Sequence, residues 1–216
     1  EPAALPRGRE ALARFAEEVA ALRARAGIGP GFVRSGVLRV ATSEAAALAL
    51  RARAAELAPL GVEFAPLGVE WLDAAAARAR EPGLGASVRG ALWSPAEGHV
   101  GAERLTAAYA RAASALGARI EEGAEVTAVD CAGARVTGVR SRRGDWSAAF
   151  VVLATGPWAG AEAKALGVAA PPPVEPVRGQ LVALRPARPA LGAIAWDERV
   201  YLVPRPDGGV LAGATE

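Results

Sequence analysis

From Ala149 to Trp158 the sequence reads AFVVLATGPW. Its first six residues, Ala149 to Ala154, are apolar without a polar break, the pattern of a strand buried on both faces and not of one with a wet side. The run stops at Thr155-Gly156-Pro157. Glycine tolerates positive φ and lets a ligand approach the backbone, and proline offers no donor to extend a ladder. In open α/β sheets ligands sit beyond the carboxyl ends of the strands, so this turn is the first candidate for a cofactor contact. A plain buried strand followed by a loop would read the same way, and the flanking sequence has to arbitrate.

Upstream, a helix is predicted from about Ala102 to Leu116, with Leu105, Tyr109, Ala112 and Leu116 on one face and Gly117 as its stop. Short strands follow near Glu125 to Asp130, Arg135 to Arg140 and Trp146 to Ala148, separated by turn-forming Ala132-Gly133 and Arg143-Gly144-Asp145. Gly138 marks a bulge. Helix, meander, buried strand and glycine turn, in that order, is more specific than any of its parts. At the start of the chain, Leu12, Phe15, Val19, Leu22 and Ala26 recur at spacings of three and four, a helix that Gly27-Ile28-Gly29-Pro30-Gly31 terminates. That glycine cluster imitates a dinucleotide fingerprint, yet Phe32 holds the third glycine position and the cluster follows a helix where the fingerprint must follow a strand.

Phe32 to Ala41 reads as two short strand pieces around Ser35-Gly36, Ser43 caps a helix through Leu60, and Val62 to Pro66 is a short strand. Trp71-Leu72-Asp73 is expected to open a helix that Glu81-Pro82-Gly83 closes, and Ala91 to Pro95 is extended. Ala170 to Pro173 forms a stiff connector. Beyond it, Val177 to Leu184, Ala193 to Trp196, Tyr201 to Val203 and Val210 to Ala214 are expected strands of an antiparallel sheet, with a hairpin at Pro206-Asp207-Gly208-Gly209.

Composition narrows the function classes. The 216 residues carry 25 basic and 23 acidic side chains, a net charge of +2 that is too small to call for a polyanionic partner. The arginines at 23, 25, 51, 53, 78 and 80 lie on alanine-rich helical segments, not in a basic stripe interleaved with aromatics, so no nucleic-acid partner is expected. Cys131 is the only cysteine and His99 the only histidine, which leaves no disulfide framework and no zinc site of the usual ligands, so no metal is expected. A reducing, cytoplasmic setting fits, and no run reaches the length of a membrane span. There is no methionine, and the chain ends inside an expected strand; a section of something longer is the expectation.

Six motifs now stand in order: Glu81-Pro82-Gly83-Leu84, Gly98-His99-Val100, Ala154-Thr155-Gly156-Pro157-Trp158, Pro176-Val177-Arg178-Gly179-Gln180, Tyr201-Leu202-Val203-Pro204-Arg205 and Gly213-Ala214-Thr215-Glu216. Together they resemble the D-amino acid oxidase superfamily of flavoproteins, and within it the glycine oxidases of thiamine biosynthesis. The resemblance implies an α/β plus α+β fold: part of a Rossmann-like FAD-binding domain (residues 1–29 and 97–170) and an antiparallel-sheet substrate domain (30–96 and 171–216). It implies FAD as cofactor. In this family the α-carbon of a small amino acid or amine loses a hydride to the flavin, the imine hydrolyses, and dioxygen leaves as hydrogen peroxide. The cofactor carries the chemistry and the protein orients it, so no acid-base dyad and no catalytic side chain is expected.

Carried over position by position, the resemblance implies that Val126 faces the adenine through its backbone, that Ala154, Thr155 and Gly156 form the turn close to the dinucleotide, and that Trp158 packs beneath that turn or touches the cofactor. Tyr201 matches the tyrosine lining the substrate pocket. Arg205 lies roughly 13 Å further along the strand, at about 3.3 Å per residue, and reads as structural, as does His99. The opening strand with its glycine fingerprint and the section bearing the arginine for the substrate carboxylate are not in these residues. The section alone is therefore expected to be inactive, and a homo-oligomer is expected for the complete protein. A non-catalytic α+β binding or scaffold domain descended from such an enzyme is the alternative.

Overall fold

The computed structural model of the chain describes residues 5–57, 68–167, 173–174, 176–186 and 191–213. They fall into two compact units, one drawn from residues 5–118 and 179–213 and the other from residues 119–178. The expected strand at Val62 to Pro66, most of the proline connector and the last three residues lie outside the described residues.

In the first unit, helix α1 (Leu5–Ala26) packs on helix α4 (Ala102–Ala115). Leu12, Phe15, Val19, Leu22 and Ala26 form the sheltered face of α1, as their spacing predicts, and Gly27 ends it at a φ of 67°. On α4 the buried positions are Ala108 and Ala112 with Leu105 beside them. Tyr109 and Leu116, expected on that face, are exposed. The distance between packed helices is set by the side chains at the contact, and alanines permit an approach that tyrosine would block.

Seven strands make one sheet: β1 (Val37–Ala41), β2 (Glu70–Asp73), β3 (Gly90–Ser94), β7 (Val182–Leu184), β8 (Ile194–Trp196), β9 (Tyr201–Pro204) and β10 (Val210–Gly213), in the order β2-β3-β1-β8-β9-β10-β7. Helices α2 (Glu44–Leu57) and α3 (Ala74–Arg80) pack against it. The core joins Leu38, Val40, Ala91, Trp93 and Ala195 to Ala77 of α3. All neighbouring strands are antiparallel except β1 and β8, which run parallel with Val37 opposite Ile194 and Arg39 opposite Trp196. The expected purely antiparallel sheet is thus a mixed one. Its two halves, residues 37–94 and 182–213, are strand-paired only through that parallel pair among the described residues.

Two further expectations are corrected here. Trp71 and Leu72 do not open a helix; they belong to β2 opposite Leu92 and Ala91. The helix begins one residue past Asp73, whose Oδ1 accepts from the Ala76 amide at 2.8 Å. Of the strand expected from Val177 to Leu184, only Val182–Leu184 pairs, opposite β10.

The second unit holds the meander β4 (Val126–Ala132), β5 (Arg135–Ser141) and β6 (Gly144–Ser147). Asp130 faces Gly138 but Cys131 faces Val136, so Thr137 is the extra residue of a bulge next to the glycine that signalled it. The run from Ala149 to Ala154, expected to be the buried central strand, forms no strand. Phe150 and Val152 are 89% and 85% exposed, while Val151 and Leu153 between them are half-buried. The alternation is that of extended chain, but a strand also requires a ladder partner, and the described residues set none beside it. A 3-10 turn (Gly156–Trp158) and helix α5 (Ala159–Ala165) follow.

Candidate functional site

Ala154, Thr155, Gly156 and Trp158 come together by sequence, at the junction of the extended run and the 3-10 turn. Gly156 takes a φ of 59°, a left-handed conformation that a side chain disfavours. A Cβ built there would meet nothing within 4 Å, so the space over the turn is open. Thr155 Oγ1 is buried and has no hydrogen-bond partner among the described residues. A buried hydroxyl left unpaired is costly and calls for a partner. The Thr155 carbonyl accepts from the Trp158 amide at 3.3 Å, which closes the turn. An orphaned hydroxyl, a bare glycine and open space above them fit a ligand rich in hydrogen-bonding oxygens, as the phosphate and ribose portions of a dinucleotide are. Trp158 is 61% exposed, so it does not pack beneath the turn among the described residues.

Val126 opens β4, opposite Ser141, with its side chain exposed. It shares the second unit with the turn, but no hydrogen bond or ring contact among the described residues ties it to Thr155 or Gly156. An open groove of about 340 Å³ in this unit, lined by Arg135, Val136, Thr137, Ser147, Ala148 and Ala149, is mostly apolar and does not include the turn.

In the first unit, Tyr201 opens β9 opposite Trp196 of β8 on one side and Gly213 of β10 on the other. The absence of a side chain at 213 is required: a Cβ there would stand 2.8 Å from Tyr201 Oη and would overlap Leu181. Residues directly paired across strands share a face, so Arg39, Trp196, Tyr201 and Gly213 form one row across four strands. The Arg39 guanidinium lies 4.7 Å from the centre of the Trp196 ring. Sequence reasoning missed this row, because Arg39 and Trp196 become neighbours only through the parallel pair.

His99 is held by two backbone bonds with Val33, each 2.9 Å. Burial, and then the nearby Arg205 charge, push its pKa below the usual histidine value. Arg205 itself closes the β9–β10 hairpin, its amide donating to Gly209 O at 2.8 Å. Another feature that sequence reasoning missed is Glu81, 4% exposed, whose Oε2 accepts from the amides of Gly192 and Ala193 at 2.8 and 3.0 Å. The described residues hold no group of histidine, cysteine or carboxylate side chains that could bind a metal, and no helix long and apolar enough to cross a membrane.

With the turn and the tyrosine row in place, comparison with known proteins is decisive on family. The profile of the FAD dependent oxidoreductase family matches residues 2–216, and the chain belongs to that family. It is 41% identical over 152 residues to the bifunctional protein ThiO/ThiG of Synechocystis sp., covering 67% of this chain and 22% of that protein. Glycine oxidase of Geobacillus kaustophilus is 34% identical over 198 residues, covering 90% of this chain and 50% of the relative. The crystal structure of glycine oxidase from the same organism superposes with a TM-score of 0.88 at 30% identity, covering 98% of this chain and 55% of that one. The chain thus spans half or less of the length of these two curated relatives. The family's cofactor is FAD.

Proposed function

We propose that the protein is an FAD-dependent oxidase of glycine or another small amino acid or amine, acting in the cytoplasm and serving thiamine biosynthesis. The observation that carries this reading is the similarity to glycine oxidases over nearly the whole chain. An amino acid, dioxygen and water would give the oxo acid, ammonia and hydrogen peroxide. FAD, when bound, supplies the two-electron acceptance. The chain's own residues bind and orient: Thr155 offers its hydroxyl and Gly156 its bare backbone to the dinucleotide, with Ala154, Val126 and the exposed Trp158 as further contacts, while Tyr201 lines the substrate pocket.

The FAD-binding domain would draw on residues 1–29 and 97–170, and the substrate domain on 30–96 and 171–216. Two features support that division: α1 packs on α4, and the strands of residues 37–94 continue into those of 182–213 within one sheet. The test is to purify the protein at its full natural length, record its visible spectrum, and follow oxygen uptake and peroxide with glycine and other small amines. Bound flavin with peroxide production is the expected result. A flavin-free protein that oxidises none of them would leave the scaffold reading in its place.

A further inference from the structure

We propose that Glu81 is a positioning residue for the Tyr201 side of the site, its buried side chain clasping the backbone just ahead of β8 and so fixing the joint that carries the Tyr201 half of the sheet. The proposal rests on the oxidase reading for its functional arm and on geometry for the rest.

Glu81 stands at the end of α3, where its amide donates to Ala77 O at 2.9 Å and its carbonyl accepts from Leu84 at 3.1 Å. A glutamate closing an alanine-rich helix would ordinarily be solvated. Here it is 4% exposed, and no cation among the described residues pairs with it. Its one oxygen Oε2 instead gathers two backbone amides, those of Gly192 and Ala193, from 111 and 112 residues away. Backbone amides bonded to a carboxyl group make strong, directional contacts, and removing the acceptor would leave the buried Ala193 amide unpaired and free the Gly192 amide to solvent.

The place matters more than the strength. Ala193 is followed at once by β8, whose first amide, Ile194, donates to Gly36 O at 3.1 Å. β8 pairs with β1 at only three positions, in the parallel arrangement that is the weaker of the two ladders. That short pair is the one strand ladder between the two halves of the sheet among the described residues. Beyond β8, the Asp197 side chain accepts from the amides of Arg199 and Val200 at 2.8 and 2.9 Å, and the Asp197 amide donates to Val200 O at 3.0 Å. This tight turn delivers Tyr201 opposite Trp196. From the clasp to the tyrosine, each step is pinned by a hydrogen bond or a strand pair, so a loosened clasp would be felt at Tyr201.

In the full-length protein, Glu81→Ala should raise KM for the oxidised amine by about tenfold with flavin content unchanged, and should speed amide hydrogen exchange across residues 192–201. Glu81→Gln keeps an acceptor oxygen at the same reach and should restore both; Glu81→Asp, one methylene shorter, should not. A Glu81→Ala protein matching its parent in KM and in exchange would overturn the proposal, as would a defect that Glu81→Gln fails to repair. Should Glu81→Ala not fold, Glu81→Asp carries the same comparison. A parent without flavin or oxidase activity would sink the oxidase reading, and the exchange measurement would still decide the clasp.

Discussion

At Gly156 a side chain would meet open space but would have to adopt a φ of 59°. For a β-branched residue this costs about 1–2 kcal/mol, and its methyls would fill the room above the turn. Gly156→Val in the full-length protein should therefore weaken FAD retention about tenfold or more, read as the flavin-to-protein absorbance ratio; an unchanged ratio would remove the turn from the site. Tyr201→Phe keeps the ring that Gly213 makes room for and deletes only the hydroxyl. The expected loss is about 1 kcal/mol, roughly fivefold in kcat/KM, at constant flavin content, and kinetics identical to the parent would dismiss the residue. His99 gives a pH signature. Because its folded pKa lies below the unfolded value near 6.5, the unfolded chain binds the extra proton first, so stability is intact above that value and declines as pH falls below it. His99→Gln should flatten the decline in urea midpoint between about pH 6.5 and 5. Gly156 and Tyr201 are singled out by motif position, and the two variants test the roles proposed for them. Glu81 could be quoted as part of a motif but not understood, because both its partners lie more than a hundred residues away.

Elements were readable where their determinants are local. The periodicity of α1, the Ser43 cap of α2, whose Oγ accepts from Ala46 at 3.1 Å, and the Asp207-Gly208 hairpin all came out as their residues dictate. Asp73 is the informative near miss. Read as part of a helix, it proves to be the cap outside it, while Trp71 and Leu72 obey a strand partner, Leu92 and Ala91, that no local pattern reveals. Asp73→Ala should cost about 1 kcal/mol of stability in urea denaturation, and no change would mean that the Ala76 amide finds another acceptor. The run from Ala149 to Ala154 fails for the same physical reason in reverse: its apolar pattern promises neighbours, and strand character requires them alongside. With Phe150 and Val152 outward, the Phe150→Ser, Val152→Ser double variant of the 216-residue chain should self-associate less than the parent in sedimentation velocity.

On the scale of the whole molecule, the α/β plus α+β class and the family were readable from six motifs in order, whereas the mixed character of the sheet was not, since parallel pairing between distant segments leaves no mark on either one. That parallel joint has a consequence for how the chain is made. β1 and β8 are separated by roughly 150 residues, which at ribosomal rates of about 5–20 residues per second amounts to about 8–30 s of synthesis. Throughout that interval the β2-β3-β1 half would emerge with one side of β1 unpaired, long enough for a chaperone, or a neighbouring nascent copy, to reach it before β8 does.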